Sequence, residues 1–238
     1  MEAAGYATLS RQSGLMREMR VIANNIANSA TTGYRQEGLI FSEFVQTAPG
    51  QESLSMSRAN IFNTSMEQGQ LTKTGGTFDF AVEGDGFFMV ETPQGERLTR
   101  SGAFSPNSAG DLVTMDGYRV LDAGRAPVFV PPDAGKIEVG ADGSISANGR
   151  LLGQLGLFKP VENHTLVRED GVMFRVEGEI EETLDASVLQ GFLEGSNVNA
   201  ISEVTRMIEV QRAYEMGQSF LESEDERIRN AIKNLIKT

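Results

Sequence analysis

The sequence predicts an α+β protein in which long N- and C-terminal helices pair in coiled-coil fashion around a central all-β body reached through an extended connector. Three observations carry that prediction. A proline-free apolar seam occupies residues 198–238, a weaker seam occupies the first thirty or so residues, and glycine turns at short intervals punctuate residues 78–194. The expected boundaries are 1–34 for the first helix, 35–77 for the connector, 78–194 for the β-rich domain and 195–238 for the last helix.

In the first helix Leu9, Met16 and Ala23 repeat every seven residues, Gln12, Met19 and Ile26 follow each of them by three, and Leu15 and Ile22 widen the stripe. Such spacing marks one buried helical face. The helix is expected from Tyr6 to about Asn28, because Asn24, Asn25 and Asn28 are poor helix formers and Gly33 can take the left-handed conformation that closes a helix. Two uses are open to the three amides. They bond locally at the helix end, or they bond across to neighbouring chains, since Asn carries both donor and acceptor.

From Arg35 to Gly76 periodicity weakens. Phe41, Phe44 and Val45 give way to Ser, Gln, Thr and Gly, with apolar anchors at Leu54, Ile61, Phe62 and Leu71. This reads as an extended connector with short β or hairpin pieces, too apolar to be a free linker. Beyond it, Phe78-Asp79-Phe80-Ala81-Val82 alternates apolar and polar before the turn Glu83-Gly84-Asp85-Gly86, and Phe87-Phe88-Met89-Val90 follows as a buried run. Further turns are expected at Gln94-Gly95, Ala109-Gly110-Asp111, Asp116-Gly117, Ala134-Gly135, Asp142-Gly143 and Asn148-Gly149, and Pro131-Pro132 marks an edge or a loop. Turns so closely spaced imply a compact sandwich or barrel-like body.

The last helix is expected to open at Gly195-Ser196-Asn197, where Ser or Asn can accept first-turn amides. Along it Met207, Val210, Tyr214, Gly217, Leu221, Ile228, Ala231 and Leu235 recur with alternating steps of three and four, interrupted only at Glu224. A helix of about 40 residues would be a rod of roughly 60 Å, longer than a domain of this size needs. Its stripe has to be buried against something. The first helix is the expected partner, with both helices lying over one globular core as the alternative arrangement.

Composition narrows the function. The chain has 238 residues, no cysteine and a net charge of −12, so disulfides and thiolate metal sites are excluded. The charge is uneven, because both ends are nearly neutral and the middle carries almost all of the negative excess. Neutral ends suit close packing of many copies, while an acidic middle repels nucleic acid. No apolar run approaches the roughly 18 residues that a membrane span requires. Arg11, Arg17, Glu18 and Arg20 interrupt any signal-peptide core.

No catalytic, cofactor or metal residue is expected. His164 is the only histidine and sits in a polar stretch, Glu162-Asn163-His164-Thr165. Nucleophile elbows, phosphate loops and dinucleotide fingerprints are missing. Glu83-Gly84-Asp85-Gly86 lacks the further carboxylates of a calcium loop. Two acidic groups, Glu177, Glu179, Glu181, Glu182 and Glu222, Glu224, Asp225, Glu226, read as solvated faces, the second with Arg227 and Arg229 near enough to pair. A secreted enzyme acting on cell-wall glycan would need two of these carboxylates converging in a cleft. A membrane-surface role would need a basic helical face that the ends lack.

Several segments then resemble one family. Ala23-Asn24-Asn25-Ile26-Ala27-Asn28 with Thr31-Thr32-Gly33-Tyr34-Arg35 resembles the N-terminal signature of bacterial flagellar rod and hook proteins. Glu194-Gly195-Ser196-Asn197-Val198-Asn199, continuing through Met207-Ile208-Glu209-Val210-Gln211-Arg212-Ala213-Tyr214-Glu215, resembles their C-terminal signature. The middle agrees in order, with Glu83-Gly84-Asp85-Gly86-Phe87-Phe88, Thr99-Arg100-Ser101-Gly102-Ala103-Phe104 and Leu112-Val113-Thr114-Met115-Asp116-Gly117-Tyr118. Leu9-Ser10-Arg11-Gln12, Glu224-Asp225-Glu226-Arg227-Ile228-Arg229 and the modest length are most similar to the proximal-rod member, and the distal-rod member is the close alternative. The segment Met1 to Ala7 departs from the more apolar start expected of the proximal-rod member.

The resemblance implies a structural, non-enzymatic subunit of the flagellar basal body, located in the periplasmic rod and exported without a cleaved signal peptide. Implied partners are other copies, neighbouring rod proteins and, during secretion, the flagellar export apparatus, with no nucleic acid and no membrane insertion. The terminal helices would pair and pack with those of neighbours into a tubular axial core, leaving the β body outside. The assembly residues so implied are Leu9, Met16, Met19, Ile22, Asn24, Asn25, Ile26 and Asn28 on the first helix. On the second they are Ile201, Val204, Ile208, Gln211, Arg212, Tyr214, Leu221, Ile228 and Leu235.

Overall fold

The computed structural model describes residues 2–46, 54–162, 166–169, 171–183 and 185–236, and the side chains of 2–7, 41–46, 54–62 and 235–236 lie outside that description. His164, with Asn163 and Thr165, and the side chains of Phe41, Phe44, Val45, Leu54, Ile61, Phe62 and Leu235 therefore lie outside the described residues. The chain divides into two compact units, one formed by residues 1–27, 37–65 and 199–238, the other by 28–36 and 66–198. An α+β architecture results, with one helix near each chain end and a β-rich body between them in sequence.

The first unit holds α1 (Glu2–Ala27), α2 (Ala200–Ile236) and an antiparallel pair of strands, β1 (Glu37–Gln46) and β2 (Leu54–Thr64), whose register shifts between Ile40 and Phe41. The stretch read as a connector with β pieces thus contains two long strands. Apolar residues fall in succession there, at Leu39-Ile40-Phe41 and Ile61-Phe62, with Ser, Asn, Gln and Arg interspersed, so the period-two alternation that signals a half-buried strand is interrupted.

Both helix ends differ from expectation in detail. α1 stops at Ala27, and Gly33 lies beyond it in the second unit. Gly33 has φ +71°, its amide donates to the Glu194 carbonyl at 2.8 Å, and a Cβ there would come within 2.3 Å of the Ser101 nitrogen. The glycine serves this backbone-to-backbone approach rather than a helix cap. α2 opens at Asn199 instead of 195–197, with Asn199 Oδ1 accepting from the amides of Ile201 and Ser202, both at 3.1 Å. Gly195 and Asn197 are engaged elsewhere. The Gly195 amide donates to Gln70 O at 2.9 Å, while Asn197 Oδ1 accepts from Gln36 N at 2.6 Å and its Nδ2 donates to Glu67 O at 2.8 Å.

The second unit is the β body. Its largest sheet runs in the order β14-β15-β6-β5-β9-β8-β7, and β13 pairs with both β5 and β16. The strands are β5 (Phe87–Thr92), β6 (Gly95–Thr99), β7 (Phe104–Pro106), β8 (Leu112–Thr114), β9 (Arg119–Val120), β13 (Leu157–Pro160), β14 (Leu166–Glu169), β15 (Met173–Val176) and β16 (Ile180–Glu182). The run Phe87-Phe88-Met89-Val90 is buried on both faces because the sheet separates two cores. Phe88 and Val90 join Phe80, Val82, Leu112, Val120 and Ile145, while Phe87 and Met89 join Leu98, Leu121, Phe158 and Phe174. Alternation along one strand feeds both.

Smaller pairs complete the body: β3 (Leu71–Lys73) with β18 (Phe192–Glu194), β4 (Phe80–Glu83) with β17 (Ser187–Gln190), and the meander β10 (Ile137–Val139), β11 (Ser144–Ala147), β12 (Arg150–Gln154). The turn joining β11 to β12 is Asn148-Gly149, with φ of 50° and 78°. Positive φ at both central residues is the two-residue hairpin geometry that Asn-Gly favours. Pro131 and Pro132 lie in a loop outside the strands.

Candidate assembly interface

Within the first unit α1 and α2 run antiparallel, since Gln12 meets Tyr214 and Gly217 while Asn25 meets Glu203. The centre of their contact is apolar and small. Leu15, Ile22 and Val210 are buried, with Met19, Ile26, Met207, Ala213 and Tyr214 packed half-buried around them. The seam of α2 therefore faces α1 at Met207, Val210 and Tyr214, as its spacing requires. On α1 the centre falls on Leu15 and Ile22, and Leu9, Met16 and Ala23 lie on an exposed flank.

Polar side chains fix the register of the pair. Gln12 Nε2 donates to the Tyr214 carbonyl at 2.9 Å, and a Cβ on Gly217 would come within 2.5 Å of that nitrogen. Glu18 Oε1 accepts from both Nε and Nη2 of Arg206, at 2.8 and 2.6 Å. That hydrogen bond, with the carboxylate's charge, raises the Arg206 pKa. Asn25, 1% exposed, joins α1, β1 and α2: its Nδ2 donates to Glu37 O at 2.8 Å and to Glu203 Oε2 at 3.0 Å, and its Oδ1 accepts from Glu37 N at 3.0 Å.

The expected assembly residues fall into two sets. Ile22 and Asn25 are buried inside the unit, and Met19, Ile26, Tyr214 and Leu221 are half-buried. Asn28, in the second unit, is half-buried and accepts from the Thr31 hydroxyl at 3.1 Å. Leu9, Met16, Asn24, Ile201, Val204, Ile208, Gln211, Arg212 and Ile228 are exposed, Ile201 at 81%. Gln211 Nε2 donates along its own helix to Glu215 Oε1 at 3.0 Å. Leu235 is outside the described side chains.

A second polar centre, inside the β body, was not singled out from the sequence. Glu194 and Arg35 are each 1% exposed and pair at 3.0 Å, and Arg100, equally buried, pairs with the other carboxylate oxygen at 3.1 Å. Gly69 N also donates to Glu194 Oε1 at 3.0 Å. Arg35 reaches the carbonyls of Met66, at 2.9 Å, and Glu67. Burial, then the charge of Arg100, lowers the Arg35 pKa to about 10 against the raising effect of Glu194, and burial likewise lowers that of Arg100. Arg168 stacks its guanidinium over Tyr34 at 4.3 Å and over Phe174 at 4.8 Å, and donates to the Arg35 carbonyl. All three principal residues stand in the motifs Tyr34-Arg35, Thr99-Arg100-Ser101 and Glu194-Gly195-Ser196, but charged residues read as exposed unless a partner far along the chain is known.

The acidic groups behave as solvated faces. Glu177 pairs with Arg175 at 2.8 Å, Glu181 with Lys159 at 3.3 Å, Glu224 with Arg227 at 2.6 Å and Asp225 with Arg229 at 2.9 Å. Among the described residues no group of three or more His, Asp or Glu is placed to hold a metal ion, and no helix is long and apolar enough to cross a membrane.

An antiparallel pair of terminal helices attached to a β body places the chain in a class defined by its ends. Three family models match it in order: the flagella basal body rod protein model over residues 6–35, the flagellar hook protein FlgE/F/G D1 domain over 81–147, and the flagellar basal body rod FlgEFG protein C-terminal model over 189–234. The chain is 39% identical to the flagellar basal-body rod protein FlgF of Mesorhizobium japonicum, over 99% of this chain and 98% of that protein. It is 37% identical to FlgF of Caulobacter vibrioides over 100% and 99%, and 34% identical to the rod protein FlgG of Agrobacterium fabrum over 91% and 93%. The chain belongs to the flagellar hook and basal-body rod family, and within it is FlgF-like.

Proposed function

We propose that this chain is a structural subunit of the proximal rod of the bacterial flagellum, polymerising through α1 and α2 into the axial shaft while the β body stays outside. What carries the reading is the state of the two helices. Their shared contact is centred on only three buried apolar side chains among the described residues, Leu15, Ile22 and Val210, with Val21 also buried on α1, while Leu9, Met16, Ile201, Val204, Ile208, Ile228 and Ile232 stay exposed. So much uncovered apolar surface on near-neutral helices suits burial against further helices. α2 is also the longer helix, 37 residues against 26, so in an antiparallel pair its last turns continue the seam past α1.

Assembly and ordering are coupled in this reading. Helices that bury one small stripe are marginal alone, and packing against neighbours supplies what propensity does not. Passage through the flagellar export apparatus as an unfolded chain is then compatible with helices that order only in the rod. Likeness to rod proteins named FlgF over nearly the whole chain supports the proximal position, and likeness to FlgG supports a rod role more broadly.

Leu221→Asp tests the assignment. In cells lacking their own copy of the chain, the variant should leave the β body folded and yet fail to appear in purified basal bodies, because a charge would enter a dry seam. Normal rod assembly by this variant would contradict the role given to the seam.

A further inference from the structure

Beside the turn Pro93-Gln94, which joins β5 to β6, the β body has a cavity of about 480 Å³ lined by Thr92, Gln94, Arg97, Tyr118, Glu169 and Met173. That volume is the size of a small-molecule site. Arg97 is only 8% exposed, and two of its three guanidinium nitrogens are occupied: Nε donates to Glu169 Oε2 at 2.7 Å, and Nη1 donates to the carbonyls of Gln94 and Glu96 at 3.3 and 2.9 Å. Nη2 donates to none of the described residues, so two N–H groups of a buried cation remain unused. The Gln94 side-chain amide and the Tyr118 hydroxyl are likewise unpartnered among the described residues. Glu169 accepts from Arg97 on one oxygen and from Arg175 Nε on the other, at 2.7 Å, and keeps further lone pairs on both.

We propose that this cavity is a saccharide-binding site that takes one ring of an N-acetylated sugar. The charges choose the class. An anionic group entering beside Arg97 would also meet Glu169, and a cationic group would meet Arg97 itself. A hydroxyl suits both at once, because it accepts from Arg97 Nη2 and donates to Glu169. Tyr118 and Met173 supply the apolar surface for the C–H face of a sugar ring, with the phenol hydroxyl at its rim. Gln94 offers one donor and one acceptor, the complement of an acetamido group. Glu169 is the one carboxylate of the lining among the described residues, so the cavity holds a sugar without the second carboxylate that glycoside hydrolysis uses. This site does not depend on the rod-subunit reading.

Titration of the full chain with the β-1,4 trimer of N-acetylglucosamine, followed by amide NMR up to about 10 mM sugar, tests it. The amides of Gln94, Arg97, Tyr118 and Glu169 should shift together and saturate. The β-1,4 glucose trimer has the same rings and linkage but a hydroxyl in place of each acetamido group, and it should bind roughly tenfold more weakly. Gln94→Ala should remove that discrimination by weakening the N-acetylated trimer alone, and its urea midpoint should not move, since the Gln94 side chain is exposed and makes no bond to be lost. Arg97→Lys should weaken both trimers. Absence of saturable shifts at these amides overturns the proposal, as does a preference for the N-acetylated trimer that survives Gln94→Ala.

The same chemistry is offered by free oligosaccharides and by the glycan strands of a cell wall, and pelleting separates the two sources. Co-sedimentation of the full chain with insoluble cell-wall glycan, reversed by the soluble N-acetylated trimer and reduced at least fivefold by Gln94→Ala, assigns the site to the wall. A chain that binds the trimer but stays in the supernatant takes free sugar. Co-sedimentation that Gln94→Ala leaves unchanged, with no binding of the trimer, would place the wall contact elsewhere on the chain and overturn the site.

Discussion

Asn25 completes β1 as a neighbouring strand would, its carboxamide bonding both backbone polar groups of Glu37, with the carbonyl accepting from Nδ2 at 2.8 Å and the amide donating to Oδ1 at 3.0 Å. The same Nδ2 donates to Glu203 on α2. One buried amide thus ties three elements together, which is why Asn rather than an apolar residue stands on this part of the α1 face.

Asn25→Ala should cost about 1–3 kcal/mol at this junction, because it removes the buried hydrogen bonds to the Glu37 backbone and to Glu203. Amide exchange at Glu37 should accelerate, while the urea midpoint of the β body should not move. Unchanged exchange at Glu37 would show that other groups satisfy that backbone.

Glu194 gives a sharper case. Two buried arginines share its carboxylate, so Glu194→Gln removes the counter-charge that pairs directly with both cations, and breaking a buried pair in this way costs about 3–5 kcal/mol. Urea unfolding of the β body should show the loss. Replacing Arg35, Arg100 and Glu194 together by methionine should recover most of it, since well-packed apolar groups often substitute for buried ions without penalty. A Glu194→Gln body as stable as the parent would mean that the pair is not closed in solution.

Glu169 sets an acid limit. Its pKa is lowered, first by the hydrogen bond from Arg175 and, after the opposing effect of desolvation, by the hydrogen bond and charge of Arg97. Both guanidinium groups donate to it at 2.7 Å. A carboxyl group with a depressed folded-state pKa contributes stability that is fully present above its unfolded value, about 4.3, and is lost as pH falls through the folded value. Carboxyl NMR should place its titration below that of an unperturbed glutamate, and Arg175→Gln should move it upward. An ordinary midpoint in the parent would remove this contribution.

The legible parts of the chain were those set by local chemistry. Asn148-Gly149 announced a hairpin because such residues accept positive φ at two successive positions, and the steps of three and four from Met207 to Gly217 announced where α2 meets α1. On α1 the seven-residue repeat was visible but its centre was not. Leu9-Met16-Ala23 and Leu15-Ile22 have the same period and lie about 100° apart around the helix, so only the partner decides which is covered. Asn25, Arg35, Arg100 and Glu194 stood in plain sight within recognisable motifs, but their bonds join residues as far apart as Arg35 and Glu194. Nothing local to any of them reveals that.

Hydrogen exchange on the dilute full-length protein, repeated on the chain in assembled rods, tests most directly whether the terminal helices order on assembly. In dilute solution the amides of 8–27 and 200–236 should exchange far faster than those of Phe87–Thr92 and Leu112–Thr114, because three buried apolar side chains hold the helix pair whereas two cores hold the β body. In the rod the helices should become protected. Helices already protected as strongly as the β strands in dilute solution would contradict ordering on assembly.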